Sequence, residues 1–360
     1  MKSLYKIIVI LFILPLFAFV NTTDKKHEKS KKIQKKFSVN ADALVTINNK
    51  YGNLTITTWD KNTVEIEVII TVKGNDLDAV ERKLESIHIN FNATKYQVDA
   101  TTIFERNKSS WSWWKGSDNI NYEVNYRVKM PESNSVDLNN DYGNIYLDVL
   151  AGKADINCDY GKIDIGELNG SNNSINLDYC ASSTIGFIKE GNINADYSKL
   201  SIDEAKEIRV NADYSNIKVN TIESIDFNAD YGAIMIEDVE SVEGNSDYTS
   251  LRFGTLRKMA KIDSDYGSLR INNLKKGFEN IDISAQYTGI RIGIDPEAIF
   301  DFEVDLKYAG FKKEIDNIEI FKSTSKPTKK YYEGKIGKGN TSSHLKIKSQ
   351  YGSVRFSESN

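Results

Sequence analysis

The sequence is poor in cysteine, proline and histidine. Two cysteines, Cys158 and Cys180, are too few for the disulfide framework of a small secreted domain. Only 4 prolines accompany 22 glycines and 19 tyrosines, a balance that favours many short strands joined by tight turns. The histidines His27, His88 and His344 are far apart in the sequence and indicate neither a catalytic triad nor a zinc site.

Other chemical signatures are also missing. The sequence has no glycine-rich phosphate-binding loop. The formal net charge is −4, which argues against nucleic acid as a partner. We therefore predict a protein that is not an enzyme, with no catalytic residues, no metal and no cofactor.

Long apolar runs are almost absent. The one exception, Ile7 to Val20, follows Lys2 and Lys6 and is interrupted only by Pro15. A run of this length suits the core of a secretory signal better than a membrane span, so residues 1–20 are predicted to be a signal peptide, with an uncleaved anchor helix as the alternative. The mature chain is then expected to have no membrane span and to be periplasmic, surface-exposed or secreted. Residues 21–36 are predicted to be a basic linker.

An internal repeat dominates the rest of the chain. An Asp-Tyr-Gly or Asp-Tyr-Ser unit, with variant copies later, recurs at intervals of 17 to 21 residues, followed by a late copy at Tyr351. The tyrosines of the regular copies are residues 142, 160, 179, 197, 214, 231, 248, 266, 287 and 308.

Alignment of the copies on their tyrosines also aligns the apolar residues. These lie three, five and eight positions after the tyrosine and four before it; Phe187 takes the eighth position after Tyr179. The tyrosine keeps the inward parity of the strand before it, and the glycine or serine that follows is predicted to form a bend. Cys158 and Cys180 occupy different register positions, so both are expected to stay reduced.

A coil of two short strands cannot bury its apolar face alone, whereas parallel stacking at about 4.8 Å makes a continuous core. We predict an all-β parallel β-solenoid of about ten coils of 17–21 residues. A β-propeller or a leucine-rich repeat would need a longer unit, and a meander would not need a strict tyrosine register. The predicted organisation is an N-terminal β-rich cap domain with one short helix at residues 37–135, the solenoid at 136–308, and an irregular segment with capping strands at 309–360.

Several of these residues are similar to those of the bacterial putative-adhesin families of β-strand-repeat proteins. The likeness rests on Tyr51-Gly52-Asn53-Leu54-Thr55-Ile56 with Trp59, on the repeated glycine-containing turns, and on Gly334–Gly339 ahead of Tyr351-Gly352-Ser353-Val354. It covers most of the mature chain and looks like the Bacteroidetes branch. The resemblance implies a β-repeat fold; those families have no assigned biochemical function.

Two surface features are candidates for function. Asparagine three residues before the tyrosine and aspartate one before it would form outward rows, explained either by ladder and turn hydrogen bonds or by binding of Ca²⁺ or a cationic partner. Trp111, Trp113 and Trp114 stand in a polar loop and would either bind a protein or glycan partner or cover the first coil as a cap.

The sequence favours an exported, adhesin-like binding protein or structural protein of the cell envelope. A periplasmic regulatory partner in envelope signalling is the alternative from another functional class. A polysaccharide-active enzyme is a third, less favoured because the coils carry no long loops to form a cleft.

Overall fold

The computed structural model describes residues 26–105 and 120–359. In this part of the chain the protein is all-β, with 26 strands, mostly paired in parallel, and one helix. The chain divides into two compact units, residues 1–173 and 174–360. The predicted signal peptide lies outside the described residues. The one described helix has 9 residues, too few to span a membrane.

The first unit contains a helix, α1 (Leu77–Glu85), and eleven strands in the described residues. They are β1 (His27–Ser38), β2 (Leu44–Lys50), β3 (Leu54–Trp59), β4 (Thr63–Gly74), β5 (Ile87–Ala93), β6 (Gln97–Phe104), β7 (Asn121–Pro131), β8 (Ser135–Asp141), β9 (Ile145–Leu150), β10 (Ala154–Asp159) and β11 (Ile163–Leu168).

Two parallel ladders run through this first unit. Strand β2 pairs in parallel with both β6 and β8, and β8 pairs with β10. Strand β3 pairs in the same way with β7 and β9, and β9 with β11. Repeat-type strands therefore begin at Leu44, well before residue 136, where the sequence placed the start of the solenoid.

The N-terminal basic segment differs from its prediction as a linker. From His27 onward it forms β1, which pairs antiparallel with β4 over all twelve residues. Its lysines face carboxylates across the ladder, as in the ion pairs Lys32–Glu67 at 2.7 Å and Lys36–Glu65 at 2.8 Å. A lysine-rich strand at a sheet edge also disfavours edge-to-edge pairing between molecules. The sequence signal was misleading because an edge strand needs few apolar residues.

The one short helix predicted within residues 37–135 is present as α1 (Leu77–Glu85). The Asp76 side chain accepts a hydrogen bond from the Ala79 N–H at 2.9 Å, which caps the first turn. Val80 is fully buried, whereas Leu77 in the first turn is exposed.

The second unit contains the longer array of strands. They are β12 (Asn173–Asp178), which begins at the boundary, β13 (Ser183–Asp196), β14 (Lys199–Asp213), β15 (Asn216–Asp230), β16 (Ala233–Asp247), β17 (Ser250–Asp265), β18 (Ser268–Leu274), β19 (Asn280–Gln286), β20 (Gly289–Ile294), β21 (Phe300–Lys307), β22 (Phe311–Glu314), β23 (Ile318–Ser325), β24 (Lys329–Ile336), β25 (His344–Gln350) and β26 (Val354–Glu358).

The apolar register predicted from the repeats is confirmed at nearly every position. Around Tyr231, for example, Phe227, Ile234, Ile236 and Val239 are at most 1% exposed. Strands β13 to β17 pair in parallel with equivalent residues opposite one another.

Phe187 is the exception to this register. It pairs with Glu204, while Ile188 pairs with Ala205 and is fully buried. The coil of Tyr179 contains one further left-handed residue, Ser182, with φ of 60°. The extra residue shifts the following strand by one position.

The C-terminal region is also more regular than predicted. Residues 311–336 form three strands, of which β23 and β24 make an antiparallel hairpin that pairs with β21. Strand β25 lies between β19 and β21, and β26 lies between β20 and β22. The last repeat in the sequence is thus inserted between two earlier coils.

Both cysteines are buried. Cys158 occupies the small inward position two residues before a tyrosine, and Cys180 takes the place of the glycine after Tyr179.

Candidate functional site: a stripe of stacked tyrosines

The repeat tyrosines of the second unit form one continuous line, which we call the tyrosine stripe. Neighbouring rings are nearly parallel, with centroids 4.7 to 5.0 Å apart. Each side chain is 43% to 52% exposed. In spatial order the stripe consists of Tyr179, Tyr197, Tyr214, Tyr231, Tyr248, Tyr266, Tyr287, Tyr351 and Tyr308.

The outward direction of these rings corrects the inward parity predicted from the sequence. All nine tyrosines have left-handed backbone conformation, with φ of 50° to 59°. The tyrosine itself, rather than the residue after it, is the bend of the coil. A left-handed residue with a side chain costs on the order of 1–2 kcal/mol, so nine such residues need compensation.

Hydrogen bonds and ring stacking provide that compensation. The Tyr214 N–H donates to the Asp230 carbonyl of the next coil at 2.9 Å, and the Tyr231 N–H donates to the Asp247 carbonyl at 3.0 Å. A buried or partly buried bond of this kind contributes about 1 kcal/mol. An offset-stacked aromatic pair adds about 0.5–1.5 kcal/mol. The stripe is therefore a structural ladder as well as a surface.

The close approach of adjacent coils limits which residue can follow the tyrosine. A Cβ at Gly232 would lie 1.9 Å from the Ser215 carbonyl oxygen, so that position requires glycine. Where serine replaces glycine its hydroxyl joins the backbone network: Ser215 Oγ donates to the Ala195 and Asp213 carbonyls, both at 2.8 Å. The same hydroxyl accepts from the Ser198 N–H at 2.8 Å.

The first unit carries a shorter line of the same kind. Tyr51, Tyr142 and Tyr160 share the left-handed conformation, and their rings stack at 5.2 and 5.0 Å. The segment at Tyr51 therefore has the backbone conformation and the ring stacking of the repeat copies.

Stacking determines what the stripe can bind. The faces of the inner rings are covered by their neighbours, so a partner meets ring edges and phenol hydroxyls. The pKa values of Tyr197, Tyr231 and Tyr266 are raised, first by partial desolvation and then by the adjacent phenols and carboxylates. These three hydroxyls are therefore neutral at physiological pH, and a neutral phenol can both donate and accept hydrogen bonds.

A row of carboxylates lies beside the stripe. It consists of the residues that directly precede the tyrosines, Asp178, Asp196, Asp213, Asp230, Asp247 and Asp265. Burial raises the pKa of Asp196, and the charges of Asp178 and Asp213 raise it further. Burial also raises the pKa of Asp265, with contributions from Asp263 and Asp247.

The asparagine row forms the amide-to-amide ladder that the sequence suggested. Asn194 Nδ2 donates to Asn176 Oδ1 at 2.7 Å, and Asn211 Nδ2 donates to Asn194 Oδ1 at 3.0 Å. Further along, the asparagine and aspartate rows line a polar groove of about 260 Å³, which includes Asn228, Asn245 and Asp247. In residues 26–105 and 120–359, no three His, Cys, Asp or Glu side chains converge as a metal site would require.

Trp111, Trp113 and Trp114 lie outside the described residues. His88 and His344 each have a glutamate nearby, Glu105 at 3.1 Å and Glu303 at 3.9 Å, but they are in different units.

Solved structures that a structural comparison matches to this chain include several described as putative adhesins. One from Bacteroides fragilis shares 10% identity and has a TM-score of 0.28, with 91% of this chain and 97% of that chain covered. A putative cell adhesion protein from Clostridium sporogenes shares 10% identity at a TM-score of 0.19, covering 92% and 100%. A putative lipid binding protein from Parabacteroides distasonis shares 8% at 0.30, covering 90% and 96%.

These similarities assign no function, and the residue roles of those proteins do not transfer at such low identity. No protein-family model matches the sequence, and no curated protein sequence is similar to it. Four of the solved structures are described as putative adhesins or a putative cell adhesion protein, from Bacteroides, Parabacteroides and Clostridium species.

Proposed function

We propose that this chain is an exported, non-enzymatic binding protein of adhesin-like or envelope-structural character, and that the tyrosine stripe is its contact surface. The observation that carries the proposal is the line of nine half-exposed rings in the second unit. Contiguous exposed aromatic surface of this extent commonly marks an interaction site in a folded protein. Binding energy at protein surfaces is concentrated in aromatic anchors.

The proposal includes the finer architecture. The coils are taken as a parallel β-solenoid of about ten turns of 17–21 residues, with residues 37–135 as an N-terminal β-rich cap whose β2 and β3 carry the first repeat-like strands. The parallel pairing of equivalent residues from β13 to β17 supports this arrangement.

The geometry favours an extended partner, either a glycan or a protein segment. Hydroxyls, carboxylates and amides repeat along the stripe at the spacing of the coils, about 4.8 Å. A partner with polar groups repeating at a similar interval could bond to several coils at once. Each contact would be weak, and simultaneous contacts would add through effective concentration.

The tryptophan loop remains a second proposed contact surface. Trp111, Trp113 and Trp114 are large apolar side chains in a polar stretch of sequence, which supports either partner binding or a covering role. Replacing all three with alanine distinguishes the two roles. Lost binding at unchanged melting temperature would support a contact site, and a lowered melting temperature would support a cap.

The stripe is tested by removing hydroxyls while keeping the rings. Tyr214→Phe, Tyr231→Phe and Tyr248→Phe combined preserve stacking, and binding is measured on an array of neutral and acidic polysaccharides and on intact bacterial cells. We expect binding to fall about tenfold, because several hydrogen bonds are lost together. The control is Tyr96→Phe, since Tyr96 is 70% exposed and lies outside the stripe. Unchanged binding by the triple variant would remove the stripe as a contact surface.

Export is tested separately by cell fractionation. The signal-like segment Ile7–Val20 supports a periplasmic, surface or secreted location. Recovery of the full-length chain in the cytoplasm would contradict the export proposal without affecting the binding proposal.

A further inference from the structure

A second surface of residues 174–360 carries a row of cations. The residue four positions after the tyrosine points outward, and in five stacked strands it is Arg252, Arg270, Arg291, Arg355 and Lys312. Each of these pairs with the next one in register. We call this the arginine row; five strands place its ends about 19 Å apart at the usual strand spacing.

Three members of the arginine row have no carboxylate partner at ion-pair distance in the described part of the chain. Several other cations of the unit do have such a partner on the adjacent coil, as in Arg209–Asp226 at 3.1 Å and Lys261–Glu243 at 2.6 Å. Among the described residues, no carboxylate lies within the 4.0 Å of an ion pair from Arg252, Arg270 or Arg291, whereas Arg355 has Glu314 at 3.7 Å. Like charges directly opposite each other on adjacent strands are destabilising. An external anion would remove that cost.

The arginines stand beside a groove of about 750 Å³. Its floor is formed by small or polar residues six positions after the tyrosines, Gly254, Asn272, Gly293 and Ser357. A Cβ at Gly293 would lie 2.0 Å from the Asn272 carbonyl oxygen, so no side chain can fill that part of the groove. Carboxylates occur only toward its ends, at Glu237, Glu314 and Glu358.

One polar atom of the groove has no partner among the described residues. Asn273 Oδ1 is buried and accepts no hydrogen bond. A buried acceptor without a donor costs about 1–3 kcal/mol, which a ligand hydroxyl or N–H would offset. Asn272 already bonds to the row, since its Oδ1 accepts from Arg270 Nε at 2.7 Å.

We propose that this groove binds a linear acidic polysaccharide, with the arginine row holding its carboxylates and the groove floor receiving its hydroxyls. Guanidinium groups bind carboxylates through paired hydrogen bonds. The length that one sugar residue adds to such a polymer is comparable to the spacing between strands, so successive carboxylates meet successive arginines or every second one. Single-stranded nucleic acid is a poorer match, because among the described residues the groove lining contains no aromatic side chain on which a base could stack.

The test uses polygalacturonate as the probe, with neutral dextran, the galacturonate monomer and single-stranded DNA for comparison. We expect polygalacturonate to bind, and we expect this binding to weaken as salt is added. The triple variant Arg252→Gln, Arg270→Gln, Arg291→Gln should bind it at least about tenfold more weakly, since each arginine provides a charged hydrogen bond. The control variant Lys206→Gln, Arg209→Gln, Lys261→Gln removes the same charge from ion-paired positions. We expect it to bind as the unmodified protein does.

Equal losses in the two triple variants would show a net-charge effect and overturn the proposal. Binding of single-stranded DNA as tight as that of polygalacturonate, or no binding of polygalacturonate, would also overturn it. The tyrosine-to-phenylalanine variant leaves the groove intact, so failure of this inference and failure of the tyrosine stripe are separate results. Melting curves of each variant confirm that the comparison is made between folded proteins.

Discussion

Tyr287 stacks against Tyr351, with ring centroids 4.7 Å apart, and Tyr351 in turn stacks against Tyr308 at 5.0 Å. The order of the coils in space therefore differs from their order in the sequence. The C-terminal strands β25 and β26 are internal members of the stack, each paired on both sides.

Because these strands are internal, a core substitution near the C-terminus is expected to be costly. Phe356→Ala removes a fully buried ring and should lower the free energy of unfolding by about 3–5 kcal/mol. Lys348→Ala, an exposed change on the neighbouring strand β25, should have almost no effect. Chemical denaturation of both variants measures this. A small effect of Phe356→Ala would indicate that the terminal strands fray from the stack.

The two faces of strand β16 should respond oppositely to charge. Ile236 is 1% exposed and Glu237 is exposed. Ile236→Asp buries an unpaired carboxylate at a cost of several kcal/mol and should unfold the array, whereas Glu237→Lys should leave it folded. Melting temperatures by circular dichroism provide the comparison. Similar melting temperatures would refute the assigned faces.

The left-handed tyrosines reverse the usual ranking of glycine and alanine in a strand region. At Tyr231, where φ is 55°, replacement by glycine or by alanine removes the stacked ring, but only the alanine variant keeps the strain of a left-handed residue with a side chain. We expect Tyr231→Gly to be more stable than Tyr231→Ala by about 1 kcal/mol. At the exposed strand residue Thr221, the Thr221→Gly variant should instead be less stable than Thr221→Ala by about 0.5–1 kcal/mol.

Thermal melts of these four variants make the comparison. If the glycine and alanine variants ranked in the same order of stability at Tyr231 and at Thr221, the left-handed conformation of Tyr231 would be contradicted.

The aspartate row should make stability depend on pH in a defined direction. The pKa of Asp196 is raised, so near neutral pH its charge is unfavourable in the folded chain, and this penalty disappears as the pH falls through the raised value. Asp196→Asn should therefore raise the melting temperature at neutral pH, and the difference should vanish in acid. A variant that is less stable at neutral pH, or a difference that grows in acid, would show that the carboxylate is stabilising.

The sequence predicts most of the buried core residues but little of the backbone conformation at the bends of the coils. Apolar spacing identified the inward residues, such as Phe227 and Ile236, because burial imposes a strict period of two. The conformation of the tyrosines could not be predicted in this way. Tyrosine is seldom left-handed, and the adjacent glycine was the natural choice for the bend. Gly232 is instead required by the close approach of the Ser215 carbonyl, a contact between coils.

The ends of the array were predicted least well. Strand β1 was missed because an edge strand can be almost entirely polar, and β25 fits between earlier coils because its Leu345 and Ile347 match the register of any coil. Part of the arginine row could have been found in the sequence. Arg252, Arg270 and Arg291 all stand four residues after a tyrosine, but their lack of carboxylate partners depends on neighbouring coils and is visible only in the structure.

One glycine shows how strongly a coil depends on its neighbour. Gly244 stands where other coils carry a large apolar residue, and a Cβ there would lie 2.5 Å from ring carbons of Phe227, the residue opposite it. The ring of one coil thus fills the space that the next coil leaves empty. Copies of the repeat are therefore not interchangeable modules. Duplicating, deleting or reordering a single coil would separate such a pair, leaving a clash on one side and a void on the other, so this array can be lengthened or shortened only in blocks that keep its matched neighbours together.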